Sequence, residues 1–314
     1  MEILTIIVNF RTPDLAWRAA ESADAELGDR DARIVIVDND SGDGSEEKLR
    51  AALAESDSKR IEVVQSGHNG GFGAGNNVAL RAALASDDPP ELFYLLNSDA
   101  FPDPGSIDAL VDALAAHPDV GIAGSYIHGP DGEPHRTAFR FPSILSELES
   151  TVRLGVLSRV LEDHLIAPPL PTETTEVDWL AGCSMLIRRE VLEEVGLFDE
   201  TFFLYFEETD LCLRAREAGW RTLYVRESEI THIGSVSTGM KETAQRVPRF
   251  WLDSRRYFFR KNHGRLYQLA ADAVHVSGEV SWRLRAALQR KGRDGDRPRY
   301  LRDFVDHALG RSRS

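Results

Sequence analysis

The hydrophobic pattern of the first hundred residues predicts buried strands that alternate with amphipathic helices. Four short segments are almost continuously apolar, as strands covered on both faces are, and they span residues 3–8, 34–37, 61–64 and 92–96. Helical periodicity lies between and around them, at residues 13–27, 46–55 and 76–85. Strands that alternate with helices predict a parallel sheet with right-handed crossovers, so we expect an α/β fold.

Polar residues follow each of the four predicted strands, at residues 9–11, 38–41, 67–73 and 97–99. Since ligands of parallel sheets bind beyond the carboxyl ends of the strands, these segments predict one shared binding site. Asn97 and Asp99 would point the same way if the chain stayed extended. They would then offer an amide oxygen and a carboxylate to a metal ion; a simple turn is the alternative.

The glycine-rich segment at residues 70–75 does not match a dinucleotide-binding fingerprint. It follows the third predicted strand instead of the first, and the glycine spacing differs from G-x-G-x-x-G. Glycines there still predict close approach of the backbone to a ligand. We expect Asn76 and Asn77 to open the next helix as its cap.

The second half of the chain offers a loop and a group of acids. Residues 128–143 are rich in Gly, Pro and Arg, and predict either an ordinary surface loop or one that closes over a charged ligand through Arg136 and Arg140. Residues 177–225 predict strand, helix, loop, helix and strand, with Glu207, Glu208 and Asp210 at the start of the second helix. Crowded carboxylates near aromatic residues have raised pKa values, which suits a general base.

Composition indicates a globular protein with an uneven charge. The chain has 314 residues, of which 42% are hydrophobic. Residues 1–245 hold 20 Lys and Arg against 44 Asp and Glu, whereas residues 246–314 hold 17 against 7, so the formal charges are about −24 and +10. No uncharged apolar run approaches the roughly 18 residues of a membrane span and no basic leader precedes the first apolar residues, so we expect a cytoplasmic protein. Cys183 and Cys212 lie in apolar patterns and are expected to be buried and reduced.

The basic C-terminal part predicts a helix with two interpretations. Apolar residues near helical spacing lie at positions 266, 269, 270, 273, 274, 284 and 288, and basic residues at 283, 285, 290 and 291. One interpretation is an interfacial helix that holds the protein peripherally on the anionic inner face of the plasma membrane. The other is a helix packed on the acidic body or in a homodimer.

Five motifs in order resemble family 2 glycosyltransferases of the bacterial rhamnosyltransferase-like branch. They are VDNDSGDGS, NGGFGAGNN, LLNSDA, the segment WLAGCSMLIRREVLEEVGLFDETFFLYFEETDLCLRAREAGW, and THIGSVS. The resemblance covers about residues 1 to 240 and implies a GT-A fold, with a mostly parallel central sheet flanked by helices. It implies a Rossmann-like nucleotide-sugar-binding half at 1–125 and an acceptor-binding and catalytic half at 126–245. Residues 246–314 lie outside the resemblance, and their pattern predicts a basic helical C-terminal extension.

The same resemblance implies an inverting transfer that depends on Mn²⁺ or Mg²⁺. The donor would be a nucleotide diphosphate sugar, with dTDP-rhamnose as the best choice. The acceptor would be a hydroxyl of a glycan or of a polyprenyl-diphosphate-linked glycan in cell-surface polysaccharide synthesis. No nucleic acid partner is expected, and a homodimer is left open.

The resemblance also assigns roles to individual residues. Asp38 would hydrogen-bond the base, and the donor site as a whole would comprise Asn9, Arg11, Asp38, Asn69, Gly70, Phe72, Asn76, Asn97, Trp179 and Gly182. Asp99 and His232 would bind the metal, with Asn97 standing where the family's DxD motif has its first acid. Glu208 would be the catalytic base and Glu207 would contact sugar or acceptor hydroxyls. Asp210 is expected either to face the helix interior or to pair with an arginine such as Arg214, four residues later.

Three other functions compete with this one. A sugar-phosphate nucleotidyltransferase would need a glycine-rich basic loop directly after the first strand, and residues 9–15 lack one. A processive synthase would carry membrane spans and a Q-x-x-R-W motif, which QRVPRF at 245–250 does not match. A non-catalytic nucleotide-sugar-binding protein is favoured only by Asn97.

Overall fold

The computed structural model describes residues 2–234, 245–290, 292 and 296–311. The described chain forms two compact units. The first comprises residues 2–139, 169–203 and 207–234, and the second comprises residues 140–168, 204–206 and those from 245 onward. The division into a nucleotide-sugar-binding half at 1–125, an acceptor-binding half at 126–245 and an extension at 246–314 stays a prediction.

The first unit contains all the described strands. They are β1 (Ile3–Asn9), β2 (Ala32–Asp38), β3 (Ile61–Gln65), β4 (Leu92–Asn97), β5 (Ala100–Pro102), β6 (Val120–His128), β7 (Pro134–His135), β8 (Ala138–Phe139), β9 (Thr175–Val177), β10 (Trp179–Leu180), β11 (Ser184–Arg188) and β12 (Arg221–His232). The main sheet has the order β3-β2-β1-β4-β11-β6-β12-β5, with β7 beside β6 and β9 beside β12, while β8 and β10 pair separately. Strands β1 to β4 are mutually parallel and β11 is antiparallel to both its neighbours.

Helices occur in both units. They are α1 (Pro13–Leu27), α2 (Ser45–Glu55), α3 (Phe72–Leu84), α4 (Ser106–Ala116), α5 (Ile144–Val152), α6 (Gly155–Val160), α7 (Arg189–Val195), α8 (Glu207–Glu217), α9 (Arg249–His263), α10 (Arg265–Leu288) and α11 (Tyr300–Ala308). The second unit consists of α5, α6, α9, α10 and α11 with their connections. Among the described residues, no helix combines the length and apolar character that crossing a membrane requires.

Most predicted elements are confirmed, and α3 is corrected. The four strands match within one or two residues at each end, and α1 has the predicted bounds. Helix α3 begins at Phe72 instead of residue 76, because Gly71 adopts φ 90° and turns the chain into the helix four residues earlier. Asn76 and Asn77 therefore lie inside α3, and the prediction that they cap it was wrong. The predicted loop at 128–143 contains the short strands β7 and β8.

The parallel register brings the polar strand ends together, as predicted. Asn9 at the end of β1 lies beside Asp38 at the end of β2, and Val8 lies beside Asn97 at the end of β4. The interiors of these strands are buried, with Ile6, Ile36 and Leu95 fully inaccessible to solvent. Cys183 and Cys212 are buried free thiols, which confirms that prediction.

Candidate active site

Asp38 holds together the loop that follows β2. It is 1% exposed, and its carboxylate accepts hydrogen bonds from Asn9 Nδ2 at 2.7 Å, Ser41 Oγ at 2.6 Å and Gln65 Nε2 at 3.0 Å. The backbone N–H of Ser41 also donates to Asp38 Oδ2, at 3.2 Å. Both carboxylate oxygens are thus occupied by donors of the protein itself. A hydrogen bond donated by a base to Asp38 stays a prediction, and it requires one of these donors to move away.

Arg11 links the ends of β1 and β2. Its backbone is left-handed, with φ 61°, its N–H donates to Ser41 Oγ at 2.9 Å, and its Nε donates to the Ser41 carbonyl at 3.1 Å. Its guanidinium carbon lies 4.9 Å from the centre of the Phe10 ring. Arg11 itself is exposed at this rim, so a cationic side chain borders the position predicted for the nucleotide.

The glycine-rich segment is packed too closely to tolerate side chains. A Cβ at Gly71 would lie 1.5 Å from the Phe203 carbonyl oxygen, and a Cβ at Gly70 would lie 2.6 Å from Ala74 Cβ. Asn69 Oδ1 accepts hydrogen bonds from the Gly71 N–H at 3.1 Å and from Asn39 Nδ2 at 3.0 Å. The segment between β3 and α3 is therefore held to the loop after β2, with its backbone at the rim of the sheet.

Phe72 and Gly182 fit against each other. A Cβ at Gly182 would lie 2.8 Å from Phe72 Cε1, so a larger residue would displace that ring. The Phe72 ring also meets Phe198 edge to face, with centroids 6.0 Å apart. Asn76 is 1% exposed and donates back to the Phe72 carbonyl at 2.9 Å, one helical turn earlier. The described contacts of Asn76 thus stabilise the first turn of α3, and its contact with a donor stays a prediction.

Asn97 and Asp99 do not share an extended strand. Strand β4 ends at Asn97, and Ser98 and Asp99 form a turn into β5. Asn97 donates its N–H to the Cys183 carbonyl at 3.0 Å and keeps a half-buried side chain, whereas Asp99 is 7% exposed. The turn directs Asp99 toward β12, because the antiparallel pairing of β5 and β12 sets His232 opposite Ala100.

Asp99 and His232 form the pair predicted to hold a metal. His232 Nε2 lies 3.0 Å from Asp99 Oδ1, and Asp99 Oδ2 accepts the Gly234 N–H at 3.1 Å. Burial opposes ionisation of Asp99, but the hydrogen bond and charge of His232 outweigh it and hold the pKa of that carboxyl below its ordinary value. A carboxylate oxygen and an imidazole nitrogen so close together are a donor set that fits Mn²⁺. The His135 ring lies 5.9 Å from that of His232, a neighbour that the sequence did not indicate.

A second group of side chains with metal-ligand chemistry lies farther along β12. Atoms of Asp103, His128 and Glu229 all lie within 4.8 Å of one another. His128 Nε2 is 2.8 Å from Asp103 Oδ2, and Arg226 Nη1 is 2.5 Å from Glu229 Oε1. These ion pairs are sufficient to explain why the three side chains lie close together, since Asp103 and Glu229 each already face a basic side chain. No bound cation is needed to explain the arrangement.

Glu207 and Glu208 open α8 as a coupled pair of buried carboxyls. Burial and the charge of Glu208 raise the pKa of Glu207 well above its usual range. Burial also raises the pKa of Glu208, to about 7, although the Gly182 N–H and a hydrogen bond from Glu207 oppose the shift. Glu207 is thus the neutral acid of the pair and Glu208 the one that ionises near neutral pH. Glu207 is 2% exposed, Glu208 is half-buried, and Oε2 of each has no hydrogen-bond partner among the described residues.

The metal pair and the carboxyl pair both border the segment at Gly182 and Cys183. Burial raises the pKa of the Cys183 thiol to about 12, and the charges of Asp99 and Glu208 add to that effect. Gly182 donates its N–H to Glu208, and the Cys183 carbonyl receives the N–H of Asn97. The turn after β4, the segment before β11 and the start of α8 therefore converge on one place.

Other predicted residues have clear partners. Asp210 accepts a hydrogen bond from Arg214 Nε at 2.9 Å, as predicted. Trp179 stacks on Phe139 with ring centroids 4.3 Å apart, on the separate β8 and β10 pair. Arg140 lies in the second unit, 3.8 Å from Asp163. That Arg136 and Arg140 close over a charged ligand stays a prediction.

The residues that sequence reasoning did not assign are those that shape the loops, namely Asn39, Ser41, Gln65, Gly71 and His135. They lie in or beside motifs noted for their polarity, and each has at least one partner that is 25 or more residues away along the chain. The sequence gave a signal for Asn39 and Ser41, which follow a predicted strand, and for Gly71, which lies in the glycine-rich segment.

Comparison with known proteins identifies related sequences over most of the chain. A family model described as glycosyltransferase like family 2 matches residues 6–252. An N-acetylglucosaminyl-diphospho-decaprenol L-rhamnosyltransferase of Mycobacterium tuberculosis is 33% identical over 226 residues, which cover 67% of this chain and 69% of that protein.

Solved structures share the fold at low identity. A mannosyltransferase from Pyrobaculum calidifontis, solved with GDP-Man and Mn²⁺, superposes with a TM-score of 0.58 at 13% identity, over 98% of this chain and 79% of that one. GalNAc-T7, solved with UDP, GalNAc and Mn²⁺, gives a TM-score of 0.61 at 15% identity, over 99% of this chain and 57% of that one. These likenesses confirm the predicted fold class.

Proposed function

Since this chain belongs to the glycosyltransferase-like family 2, we propose that it transfers a sugar, with inversion, from a nucleotide diphosphate donor to an acceptor hydroxyl. Its family and its relatives make it a glycosyltransferase with a GT-A fold. The donor, the metal and the acceptor are the proposed parts. Rhamnose from dTDP-rhamnose is the proposed donor sugar, because the Mycobacterium relative is named for L-rhamnosyl transfer.

One observation carries the proposal. The Asp99 carboxylate and the His232 imidazole lie 3.0 Å apart and border the segment at residues 182 and 183. The same segment borders the carboxyl of Glu208, whose pKa is about 7. A metal-binding pair and a base around one space are what an inverting, metal-assisted transfer requires.

Asp99 and His232 would hold the divalent cation, with Asn97 beside them at the end of β4. A bound Mn²⁺ or Mg²⁺ would neutralise the negative charge that develops on the departing nucleoside diphosphate. The imidazole favours Mn²⁺ over Mg²⁺. The side chains of His232 and Asp99 are 16% and 9% exposed, and this low exposure would strengthen the attraction between the Asp99 carboxylate and a bound cation.

Glu208 would take the proton of the acceptor hydroxyl. The hydroxyl oxygen forms a bond to the anomeric carbon while the bond from that carbon to the diphosphate oxygen breaks, and the bonding electrons leave with the nucleoside diphosphate. The proton passes to Glu208, whose Oε2 has no hydrogen-bond partner in the described chain. Glu207 stays protonated and donates to Glu208, which steadies the charge of the base.

The acceptor is proposed to be a glycan or a polyprenyl-diphosphate-linked glycan of cell-surface polysaccharide. The Mycobacterium relative is named for a diphospho-decaprenol acceptor. A lipid-linked acceptor lies in a membrane. The proposal therefore includes a cytoplasmic location of the catalytic unit and contact with the inner face of the plasma membrane. The division into 1–125, 126–245 and 246–314, and a homodimer, stay predictions.

The experiment is a calorimetric titration of the purified protein with dTDP, UDP and GDP, each with and without Mn²⁺. We expect one nucleotide to bind tightly only when Mn²⁺ is present. The variant Asp99→Ala should weaken that binding by at least about tenfold, because it removes the charged metal ligand. The matched control is Asp103→Ala, which removes an acid four residues away that pairs with His128 instead.

Other results would assign the metal or the function elsewhere. If Asp103→Ala abolishes the effect of Mn²⁺ and Asp99→Ala does not, the metal binds at Asp103, His128 and Glu229. Binding that ignores Mn²⁺ would contradict the metal-dependent mechanism. Metal-dependent binding without release of free dTDP from dTDP-rhamnose and acceptor would favour the non-catalytic alternative. The nucleotidyltransferase alternative has no support from the family match.

A further inference from the structure

Helix α10 turns an uncharged, apolar face to solvent. Five of its large apolar residues are between 40% and 86% exposed, and they are Leu266, Leu269, Val280, Leu284 and Leu288. Successive members are 3, 11, 4 and 4 positions apart, each close to a whole number of helical turns, so they form one face. The other exposed positions from 266 to 288 are Ala270, Ala273, Ser277, Ser281 and Ala287. No charged residue therefore interrupts the face.

The opposite face of α10 is polar and buried, which fixes the rotation of the helix. Asp272 Oδ1 is 2.6 Å from Arg255 Nη1, and His275 Nδ1 is 2.5 Å from Glu147 Oε2. Gly278 lies against α5, where a Cβ would come within 2.0 Å of Thr151 Oγ1. Turning the leucines inward would unpair these buried charges, so the apolar face stays outside in the second unit taken by itself.

Cationic side chains lie at both ends of the face. Arg260 and Arg265 are exposed near its N-terminal end, and Arg290 is exposed just after its C-terminal end. The acids of this part of the chain are largely used internally: Asp272 and Asp303 are buried against Arg255 and Arg246. The acids of α10 itself, Asp272 and Glu279, are both buried, so the charged side chains exposed at the ends of the apolar face are positive.

The charges argue against a second copy of the chain as the partner of this face. A parallel pair of α10 helices would bring Arg265 next to Arg265, and an antiparallel pair would bring Arg265 next to Arg290. Either arrangement places like charges together, which destabilises a pair of helices. An anionic surface instead complements both ends of the face at once.

We propose that the apolar face of α10, formed by Leu266, Leu269, Val280, Leu284 and Leu288, lies on an anionic lipid bilayer. The leucines would enter the boundary between headgroups and acyl chains, and the exposed arginines would contact lipid phosphates. Val156 and Val160 in α6 are 69% and 74% exposed. They follow Arg153, whose carbonyl accepts a hydrogen bond from Arg285 of α10 at 2.9 Å. These valines would therefore extend the contact with the bilayer. The inference specifies the surface for the membrane contact that the proposed function includes, and it does not depend on the transfer reaction.

The test is co-sedimentation of the full chain with vesicles of phosphatidylcholine alone and of phosphatidylcholine mixed with phosphatidylglycerol. We expect binding to the mixed vesicles that weakens as salt is added, since salt screens the arginines. Leu284→Glu and Leu288→Glu should each weaken vesicle binding by at least about tenfold, because each removes a leucine that the bilayer would cover and adds a charge that anionic lipid repels. The matched control is Leu309→Glu, at an exposed leucine after α11, which should bind as the unmodified protein does.

Three results would overturn the inference. The first is that the Leu288→Glu variant sediments with vesicles as much as the unmodified chain does. The second is that the unmodified chain binds neutral and mixed vesicles equally. The third is that the unmodified chain binds no vesicles but forms a dimer, detected by light scattering, that the Leu288→Glu substitution dissociates. Nucleotide titration of the same variants separates the two proposals. Vesicle binding without nucleotide binding would contradict only the proposed function, and nucleotide binding without vesicle binding would contradict only the membrane face.

Discussion

Replacing Glu208 by Gln should remove the catalytic base while leaving the size and packing of the side chain nearly unchanged. The carboxyl has a pKa of about 7, so roughly half of the enzyme is in the basic form at neutral pH. A positioned base contributes typically about 10² to 10⁴ in rate, which corresponds to about 3 to 5 kcal/mol of transition-state stabilisation. We therefore expect kcat to fall by that factor at pH 7.

The pH dependence tests the assignment more sharply than the loss of rate. With Glu208 present, kcat/KM should fall about tenfold for each pH unit below 7, because protonation removes the base. In Glu208→Gln this acidic limb should disappear. The assay is the release of nucleoside diphosphate from the donor, measured between pH 5 and pH 9 at saturating Mn²⁺.

Variants at Glu207 provide the matched comparison. Glu207→Gln keeps a hydrogen-bond donor beside Glu208, so the acidic limb should stay near pH 7 with a modest loss of rate. Glu207→Ala removes the donor that lowers the pKa of Glu208, so the limb should move to higher pH. If Glu207→Gln costs as much as Glu208→Gln and also removes the limb, the base is Glu207 and our reasoning is refuted.

Glu208→Gln should also stabilise the folded protein at high pH. The folded-state pKa is raised from 4.5 to about 7, so the free energy of unfolding decreases as the pH rises through that interval. At about 1.4 kcal/mol per pH unit, the decrease amounts to about 3 kcal/mol above pH 7. Urea denaturation at pH 5 and pH 8 should therefore show the advantage of the variant growing with pH. A difference that does not change with pH would mean that folding does not raise the pKa of Glu208.

Two further predictions concern the stability of the fold. Gly71→Ala should cost more than about 2 kcal/mol of unfolding free energy, because its Cβ would meet the Phe203 carbonyl, whereas Gly132→Ala, with a similar φ and open space, should cost about 1 kcal/mol. Equal denaturation midpoints for the two variants would disprove the close approach. Glu147→Gln should cost about 3 to 5 kcal/mol at pH 7, since it leaves Arg255 without one of its buried partners. Because the pKa of Glu147 is lowered from 4.5 to about 2, this cost should shrink in denaturation experiments as the pH falls below 4.5; a cost independent of pH would contradict the pairing.

The sequence was sufficient to predict the sheet and the edge at which the site lies. Apolar strands separated by helices allow few topologies besides a parallel sheet, so Asn9 and Asp38 had to end at the same edge. Their exact contacts could not be predicted, because hydrogen bonds such as that between Gln65 and Asp38 join residues far apart in the chain. The start of α3 was mispredicted because a glycine with positive φ can turn a chain into a helix without any capping side chain.

Helix α10 shows why a periodic pattern alone does not determine which face is buried. Its leucines recur with the helical period, which in most soluble proteins marks the inner face. Here the inner face is instead polar, because Asp272 forms an ion pair with Arg255 in the preceding helix and His275 forms a hydrogen bond with Glu147, 128 residues away in the chain. The energetic reason is that an unpaired buried charge costs more than an exposed leucine, so the paired charges decide the rotation. The leucines are then left on the surface, where a contiguous apolar face of this length marks a site of contact with a membrane or another molecule.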